Sequence, residues 1–447
     1  MQLNEQKKQA MNHSTTRTRR WIRSGVPSGP HDLTGLDLRV GHTYNSCLLV
    51  YPQGLDAEAL AASLQKTLMA YPPFTGRVRR DGRKRVFIDD SDAGVSFDVI
   101  DHATPLPHHD IDHPVDEGVK RYMPVVPPWK VINQDQPLFK VAIHRFSCGG
   151  AIMAYGTCHV LLDGNATWGF MQDWVAVHKG LPIIPPDVDR QPLIAACEAQ
   201  SQRPYTQGFV QPLSLPTRLG LMARMAWQHL STMQRWSRRI SRTQLAAWRA
   251  EARAELGEGA QLPSAHDFVV AWCLQTLSAT LNSTAPRYLG QVCDMRFRDL
   301  PGIPRKYLGN AIGHDLLALQ PQALAQASLT QAALMCRMPF ERNSIDDLLS
   351  YMGLMARHRR THDNSTLWVQ AIVHSLDTGI VLNNCAHFAM YKMDFGKGPP
   401  TWFDFDRAPY RMIVLAPSPD RNGAFDIHVS ARRRETAAFA AASANWL

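Results

Sequence analysis

Eighteen histidines are scattered along the 447-residue chain. His159 has the setting most suited to chemistry, in the run His159-Val160-Leu161-Leu162-Asp163-Gly164. A general base for a hydroxyl or amine must be neutral at working pH and within hydrogen-bond reach of the proton it removes. Histidine is the usual side chain for that task. Asp163 stands four residues on, beside a flexible glycine. It could orient the imidazole directly, as the acid of a triad does. It could instead make a structural ion pair that fixes the turn. Asp294, Arg296 and Arg298 alternate along a far segment and supply possible partners, and a buried carboxylate needs one.

Other chemistries have less behind them. There is no Gly-x-Ser-x-Gly elbow, no Walker loop and no dinucleotide fingerprint. Gly396-Lys397-Gly398 is too short to cradle a phosphate alone. His358 and His362 have the spacing that could hold zinc on one helix face. Arg359 stands where a zinc protease has glutamate, however, and Arg357 and Arg360 add positive charge, so no metal is expected. Cys158 abuts His159, but neighbours on a strand face opposite ways. The eight cysteines form no Cys-x-x-Cys pair and read as buried free thiols of a reducing, cytoplasmic protein.

The elements that must position His159 follow from periodicity. Leu60, Leu64 and Leu68 form one stripe of a helix over Leu55 to Ala70, ended by Tyr71-Pro72-Pro73. Leu138 to Phe146 alternates as a strand, Ser147-Cys148-Gly149-Gly150 supplies a turn, and Ala151 to Cys158 returns. His159 then lies just past a strand end, a stiff platform. Phe170, Trp174 and Val177 follow at helical spacing. Seven prolines between Pro182 and Pro216 forbid long regular elements and mark a crossover linker. Beyond it, Ser264-x-x-Asp267 starts an apolar helix over Phe268 to Leu277. Gln291 to Arg298 reads as a strand with Cys293, Met295 and Phe297 on one face. Arg411 to Ala416 and Ala424 to Ser430 are further strands. Strands and helices in both halves imply a layered α/β fold.

Composition sets outer bounds. Hydrophobic residues make up 45% and charged residues 19%, enough for a sizeable core. No apolar run is long enough to span a membrane. The net charge of +9 suits anionic partners such as a polyphosphate cofactor or an acidic carrier protein. The basic residues are dispersed without a nucleic-acid motif. Lys7, Lys8, Arg17, Arg19, Arg20 and Arg23 stand against Glu5 alone near the start, which reads as a disordered basic tail over residues 1–30.

His159-x-x-x-Asp163-Gly164 together with Asp394-Phe395-Gly396-Lys397-Gly398 resembles the paired signature of the BAHD acyltransferases. Further blocks match in order: Leu33-Thr34-Gly35-Leu36-Asp37, Tyr71-Pro72-Pro73-Phe74-Thr75-Gly76-Arg77, Pro137-Leu138, Ala271-Trp272, Asp294-x-Arg296-x-Arg298 and Tyr307-Leu308-Gly309-Asn310-Ala311. The resemblance runs roughly from residue 33 to 440. It implies two similar chloramphenicol-acetyltransferase-like domains, each a mixed sheet flanked by helices, over 31–185 and 236–447. A crossover linker over 186–235 joins them.

The resemblance also implies a reaction. An acyl group would pass from acyl-CoA, a co-substrate rather than a permanent cofactor, to a hydroxyl or amine of a small-molecule acceptor. His159 would be the general base. Asp163 would point away from the site and pair with Arg296, and Asp394, Phe395, Gly396 and Gly398 would form a structural loop. Asn383 and Asn384 are candidate oxyanion or acceptor contacts. The family's loop tryptophan is Lys397 here, and Asn384-Cys385 stands where many plant members carry another tryptophan. The expected state is a monomer. A condensation-type enzyme taking its acyl group from an acyl carrier protein, and a non-catalytic binding protein on the same scaffold, are the alternatives.

Overall fold

The computed structural model describes residues 16–111, 119–342, 344–361, 366–420 and 423–446. Among these residues, twelve strands build two six-stranded mixed sheets. The first contains β1 (Thr16–Ile22), β2 (Tyr44–Tyr51), β3 (Val95–His102), β4 (Phe139–Phe146) and β5 (Ala151–Cys158). The second contains β6 (Met233–Ile240), β7 (Arg287–Asp294), β8 (Ile312–Leu319) and β9 (Ile380–Asn384). β10 (Trp402–Phe405) returns to the first sheet, and β11 (Met412–Pro417) and β12 (Phe425–Arg432) complete the second. The orders are β1-β3-β4-β5-β2-β10 and β6-β12-β11-β9-β7-β8.

The two sheets share a plan. One parallel pair, β3 with β4, sits among antiparallel neighbours in the first. In the second, β9 runs parallel to both β7 and β11. Apolar faces bury against helices, as the alternation demands. The helices used below are α1 (Gly35–Val40), α2 (Ala57–Leu68), α3 (Gly164–His178), α4 (Gln191–Ala199), α5 (Leu215–Ser231), α6 (Ala265–Ala279) and α7 (Ile345–Thr361). One hydrophobic cluster packs on the first sheet and draws in Met390, Phe395, Phe403 and Phe405 from the second half, and another packs on the second sheet. A third joins Leu36 of α1, Leu193 and Cys197 of α4, Tyr307, and Tyr351, Met352 and Met355 of α7.

Local chemistry starts these helices. Asp56 caps α2 by accepting from the Glu58 and Ala59 amides. Thr34 with Asp37, and Ser264 with Asp267, form reciprocal capping boxes on α1 and α6. The strands expected over 138–146, 151–158, 411–416 and 424–430 fall within a residue or two of β4, β5, β11 and β12.

Four expectations need correction. The tail of residues 1–30 is not disordered throughout, because Thr16–Ile22 is an edge strand paired with β3. Its basic residues have partners: Arg17 and Arg19 reach the buried Asp98 at 2.6 and 2.7 Å. Residues 1–15 lie outside the described residues. The linker carries regular elements, since Pro192 and Pro216 sit in the first turns of α4 and α5, where no intrahelical N–H bond is needed. The expected strand over Gln291–Arg298 stops at Asp294. That side chain accepts from the Arg296 amide and caps a 3-10 turn over Met295–Phe297, leaving Phe297 exposed rather than beside Cys293 and Met295. The cysteines are mostly buried, but Cys148 is exposed in the β4–β5 turn.

The boundary at 236 also does not separate the sheets. Trp402–Phe405 pairs with β2 of the first sheet. The buried Asp404 there takes a 2.5 Å bond from Arg235 of β6.

A candidate active site on the His159 loop

β5 ends at Cys158 and α3 begins at Gly164, so His159 lies on the short loop between two rigid elements. Its main chain is fixed from both sides. The His159 amide donates to the Thr43 carbonyl at 2.8 Å. Its carbonyl accepts from Asn310 Nδ2 at 2.8 Å. Burial is the main cause that lowers the imidazole's pKa below its usual 6.5, and Arg39 pushes it the same way. The ring is therefore neutral at pH 7, as a proton acceptor must be. Its Nδ1 is buried with no hydrogen-bond partner among the described residues.

Asp163 does not serve the imidazole. Its Oδ1 accepts from the Ala166 amide at 3.0 Å and caps α3. Its Oδ2 accepts from Arg296 Nη1 at 2.9 Å and from the Ala311 amide at 2.9 Å. Both oxygens are thus occupied, and neither bonds the imidazole among the described residues. Arg296 donates further to the carbonyls of Tyr307 and Gly309 at 3.1 and 2.9 Å, and Nη1 reaches Asp294 at 3.1 Å. The pair is almost fully buried and fully hydrogen-bonded, the condition under which such a pair is tolerated. Of the two roles open to Asp163, the geometry gives the ion pair that holds the loop.

Gly164 opens α3 under the Phe388 ring. A Cβ there would stand 3.3 Å from two ring atoms, so glycine lets Phe388 approach. The Asp394 loop lies at the other end of α3. Asp394 Oδ1 accepts from the Gly396 and Gly398 amides at 2.9 Å, and Oδ2 from Lys179 at 2.9 Å. Both glycines have positive φ, 95° and 96°, which the turn requires. Phe395 packs edge-on against Trp174, and its carbonyl meets His178 Nε2 at 3.1 Å. Lys397 is exposed, so the loop packs without a large side chain at that position.

Asn383 and Asn384 end β9 and make no hydrogen bond to His159 among the described residues. Asn383 is exposed, and Asn384 Oδ1 accepts from the Ala386 amide at 3.1 Å. The segment they lead into reaches the site through Phe388. Cys385 is buried, with its thiol pushed up to about 12 by desolvation. Burial raises the Cys158 thiol to about 12 as well, which leaves it no nucleophilic character. His362 of the proposed histidine pair lies outside the described residues, and no metal-binding cluster occurs among those described.

Sequence reasoning missed several residues around the loop. Asp37 Oδ1 accepts from both the amide and Nδ2 of Asn310 at 2.9 Å. Arg190 Nε meets Asp37 Oδ2 at 3.2 Å, and Arg190 Nη2 donates to the Leu161 carbonyl at 2.8 Å. Residues from α1, the linker and the second half thus converge on the five residues after Cys158. Their signal was present as buried-type charge inside apolar runs, such as Leu36-Asp37-Leu38. Only the fold brings them together.

Residues 28–444 match the family model described as the Transferase family. The oat (Avena sativa) hydroxycinnamoyl-CoA:5-hydroxyanthranilate N-hydroxycinnamoyltransferase is 25% identical over 381 residues, covering 84% of this chain and 83% of that protein. Anthranilate N-benzoyltransferase protein 1 of Dianthus caryophyllus is 24% identical over 421 residues, covering 88% and 90%. The crystal structure of F. graminearum TRI101 complexed with coenzyme A and T-2 mycotoxin superposes with a TM-score of 0.71 at 15% identity, covering 94% of this chain and 98% of that one. The match to the family model spans nearly the whole chain, and the chain belongs to the Transferase family, the BAHD acyltransferases.

Proposed function

We propose that the protein transfers an acyl group from acyl-CoA to a hydroxyl or amine of a small-molecule acceptor, with His159 as general base. The observation that carries this reading is the state of the imidazole. It is desolvated and neutral, and its loop is pinned by Thr43 and Asn310. The neighbouring carboxylate is turned to Arg296. A ring held this way can take a proton without an acid partner to relay it.

The reaction follows from that assignment. The imidazole accepts the proton of the acceptor O–H or N–H as the oxygen or nitrogen attacks the thioester carbonyl. The tetrahedral oxyanion then collapses and breaks the C–S bond. The departing CoA thiolate takes the proton back from the imidazolium, leaving an ester or amide and free CoA thiol. No acyl-enzyme forms. The Cys158 thiol, held protonated by burial, offers no competing nucleophile. The relatives named for N-acylation of anthranilates keep amine acceptors beside hydroxyl ones.

The test is release of CoA thiol across a panel of acyl-CoA donors with alcohol and amine acceptors. His159→Ala is expected to lower turnover by about 100- to 10,000-fold, the usual contribution of a positioned base. Transfer at the original rate by that variant would defeat the reading.

A further inference from the structure

Arg39 sits in the last turn of α1, two residues after Asp37. Its Nε and Nη2 are buried with no hydrogen-bond partner among the described residues. No carboxylate pairs with it there, unlike Arg17, Arg190, Arg235, Arg296 and Arg411, which all have one. Donors shut away from water without an acceptor are costly, and charged ones especially so. A guanidinium in this condition, with no carboxylate of its own, is suited to an anion that arrives later.

The place is set by packing. Gly35 lies against the Met355 main chain so closely that a Cβ would come within 2.2 Å of the carbonyl oxygen. Arg39 is one turn after Gly35 on α1, and Tyr351 is one turn before Met355 on α7, so each continues the face in contact. The buried Tyr351 hydroxyl stands next to the Arg39 guanidinium, and His314 Nε2 on β8 and His159 Nδ1 are buried without a partner among the described residues. The Arg39 charge disfavours protonation of both His159 and His314 and favours ionisation of Tyr351, so all three lie within its electrostatic reach. Arg39, Tyr351, His314 and His159 are therefore electrostatic neighbours, and the bonds from Asp37 through Asn310 to the His159 carbonyl tie α1 to the same loop.

The charge that meets Arg39 must come from near the bond being made. The phosphates of CoA are separated from its thioester by the whole pantetheine arm. A carboxylate on the acceptor, or at the far end of a dicarboxylic acyl group, is close enough. We propose that Arg39 binds a substrate carboxylate through its Nε and Nη2 groups, with Tyr351 and His314 beside it, and so selects carboxylate-bearing substrates for attack at His159. Guanidinium binds carboxylate through two parallel N–H bonds, which fixes orientation as well as charge. Two relatives are named for anthranilate substrates, which carry such a group, so the acceptor is the favoured source. The inference rests on the acyltransferase reading.

The experiment measures kcat/KM for matched pairs that differ only in the carboxylate. One arm compares anthranilate with 2-aminobenzamide, and a short hydroxy acid with its amide, using one acyl-CoA. The other compares malonyl-CoA with acetyl-CoA, using one neutral acceptor. The preference for the carboxylate member is expected to collapse in Arg39→Gln, on the order of 10- to 150-fold, and to survive in part in Arg39→Lys. The arm in which it collapses identifies the source. Binding of benzoate to the CoA-free protein, read by calorimetry, is expected to weaken in Arg39→Gln, and this readout needs no turnover. Absence of a carboxylate preference in both arms overturns the proposal, as does an Arg39→Gln variant that lowers both members of each pair alike. Failure of the acyltransferase reading looks different: no CoA is released with any substrate, while Arg39-dependent benzoate binding remains.

Discussion

Asp163 and Arg296 meet at 2.9 Å with side chains 2% and 1% exposed, and this bond ties the His159 loop to the second half of the chain. The pair has the geometry of a clamp. Removing one partner leaves the other charge buried and unpaired, which costs about 3–5 kcal/mol. Asp163→Ala and Arg296→Met are each expected to lower the melting temperature sharply. The double variant is expected to recover part of that loss, because no lone charge remains. A double-mutant cycle on thermal unfolding checks the coupling, and strictly additive losses would contradict it.

Asn310 holds the His159 carbonyl and is itself held by Asp37. Asn310→Ala removes the donor to the His159 carbonyl, at about 1–3 kcal/mol for the group left unsatisfied, while Asp37 Oδ1 keeps the residue-310 amide. Because the side chain reaches the loop backbone, the expected kinetic effect is a fall in kcat with little change in the KM for acyl-CoA. A rise in that KM at constant kcat would mean that Asn310 acts on donor binding instead.

The pH profile carries a definite sign. The active imidazole is neutral, and burial lowers its pKa below 6.5. The acid limb of kcat/KM is therefore expected to fall below pH 6.5, with activity lost as pH drops through that lowered pKa. Stability follows the same direction. His31, His42 and His144 are each lowered to about 4, mainly by burial. Between pH 6.5 and 4 the unfolded chain binds protons that the folded chain refuses, so stability decreases as pH falls through that window. Melting curves across the range test this, and a flat profile would contradict it.

The Asp394 loop separates fold from chemistry. Asp394→Ala loses the Lys179 bond and the acceptor of two glycine amides, and is expected to lower the melting temperature with kcat preserved below the transition. Lys397→Trp changes an exposed position, and its effect on stability is expected to stay within about 0.5 kcal/mol. Parallel melts and initial rates distinguish the two outcomes.

What could be read in the sequence was what periodicity and local capping control. The hairpin before His159 was legible because Leu138 to Phe146 alternates and a glycine turn follows it, leading into the returning run Ala151 to Cys158. The position of His159 past a strand end followed directly. The end of β7 was not legible, because alternation continues through Phe297 while the Asp294 side chain turns the backbone. Asn383 and Asn384 were candidates for their amides and for standing near the place of the resembled family's tryptophan, and their orientation depends on strand pairing that no local pattern encodes. Arg39, Arg190 and the pair Asn310 and His314 come from three separate segments. Each looks like an ordinary polar residue until packing removes it from water. The prolines of the linker misled for the opposite reason: a proline forbids a helix interior but favours a first turn, and spacing alone does not say which.

The placement of β10 has a consequence for synthesis. Residues 402–405 form the outer strand of a sheet whose other members all lie within the first 158 residues. While the ribosome is still making the middle of the chain, β2 has only β5 beside it and its far edge is bare. An open strand edge of this kind invites pairing with other chains. The first half must therefore wait, partly assembled, until nearly the whole chain has emerged. Severing the molecule at the linker would leave that edge uncovered permanently, so the halves are sequential in the chain but not independent as folding units.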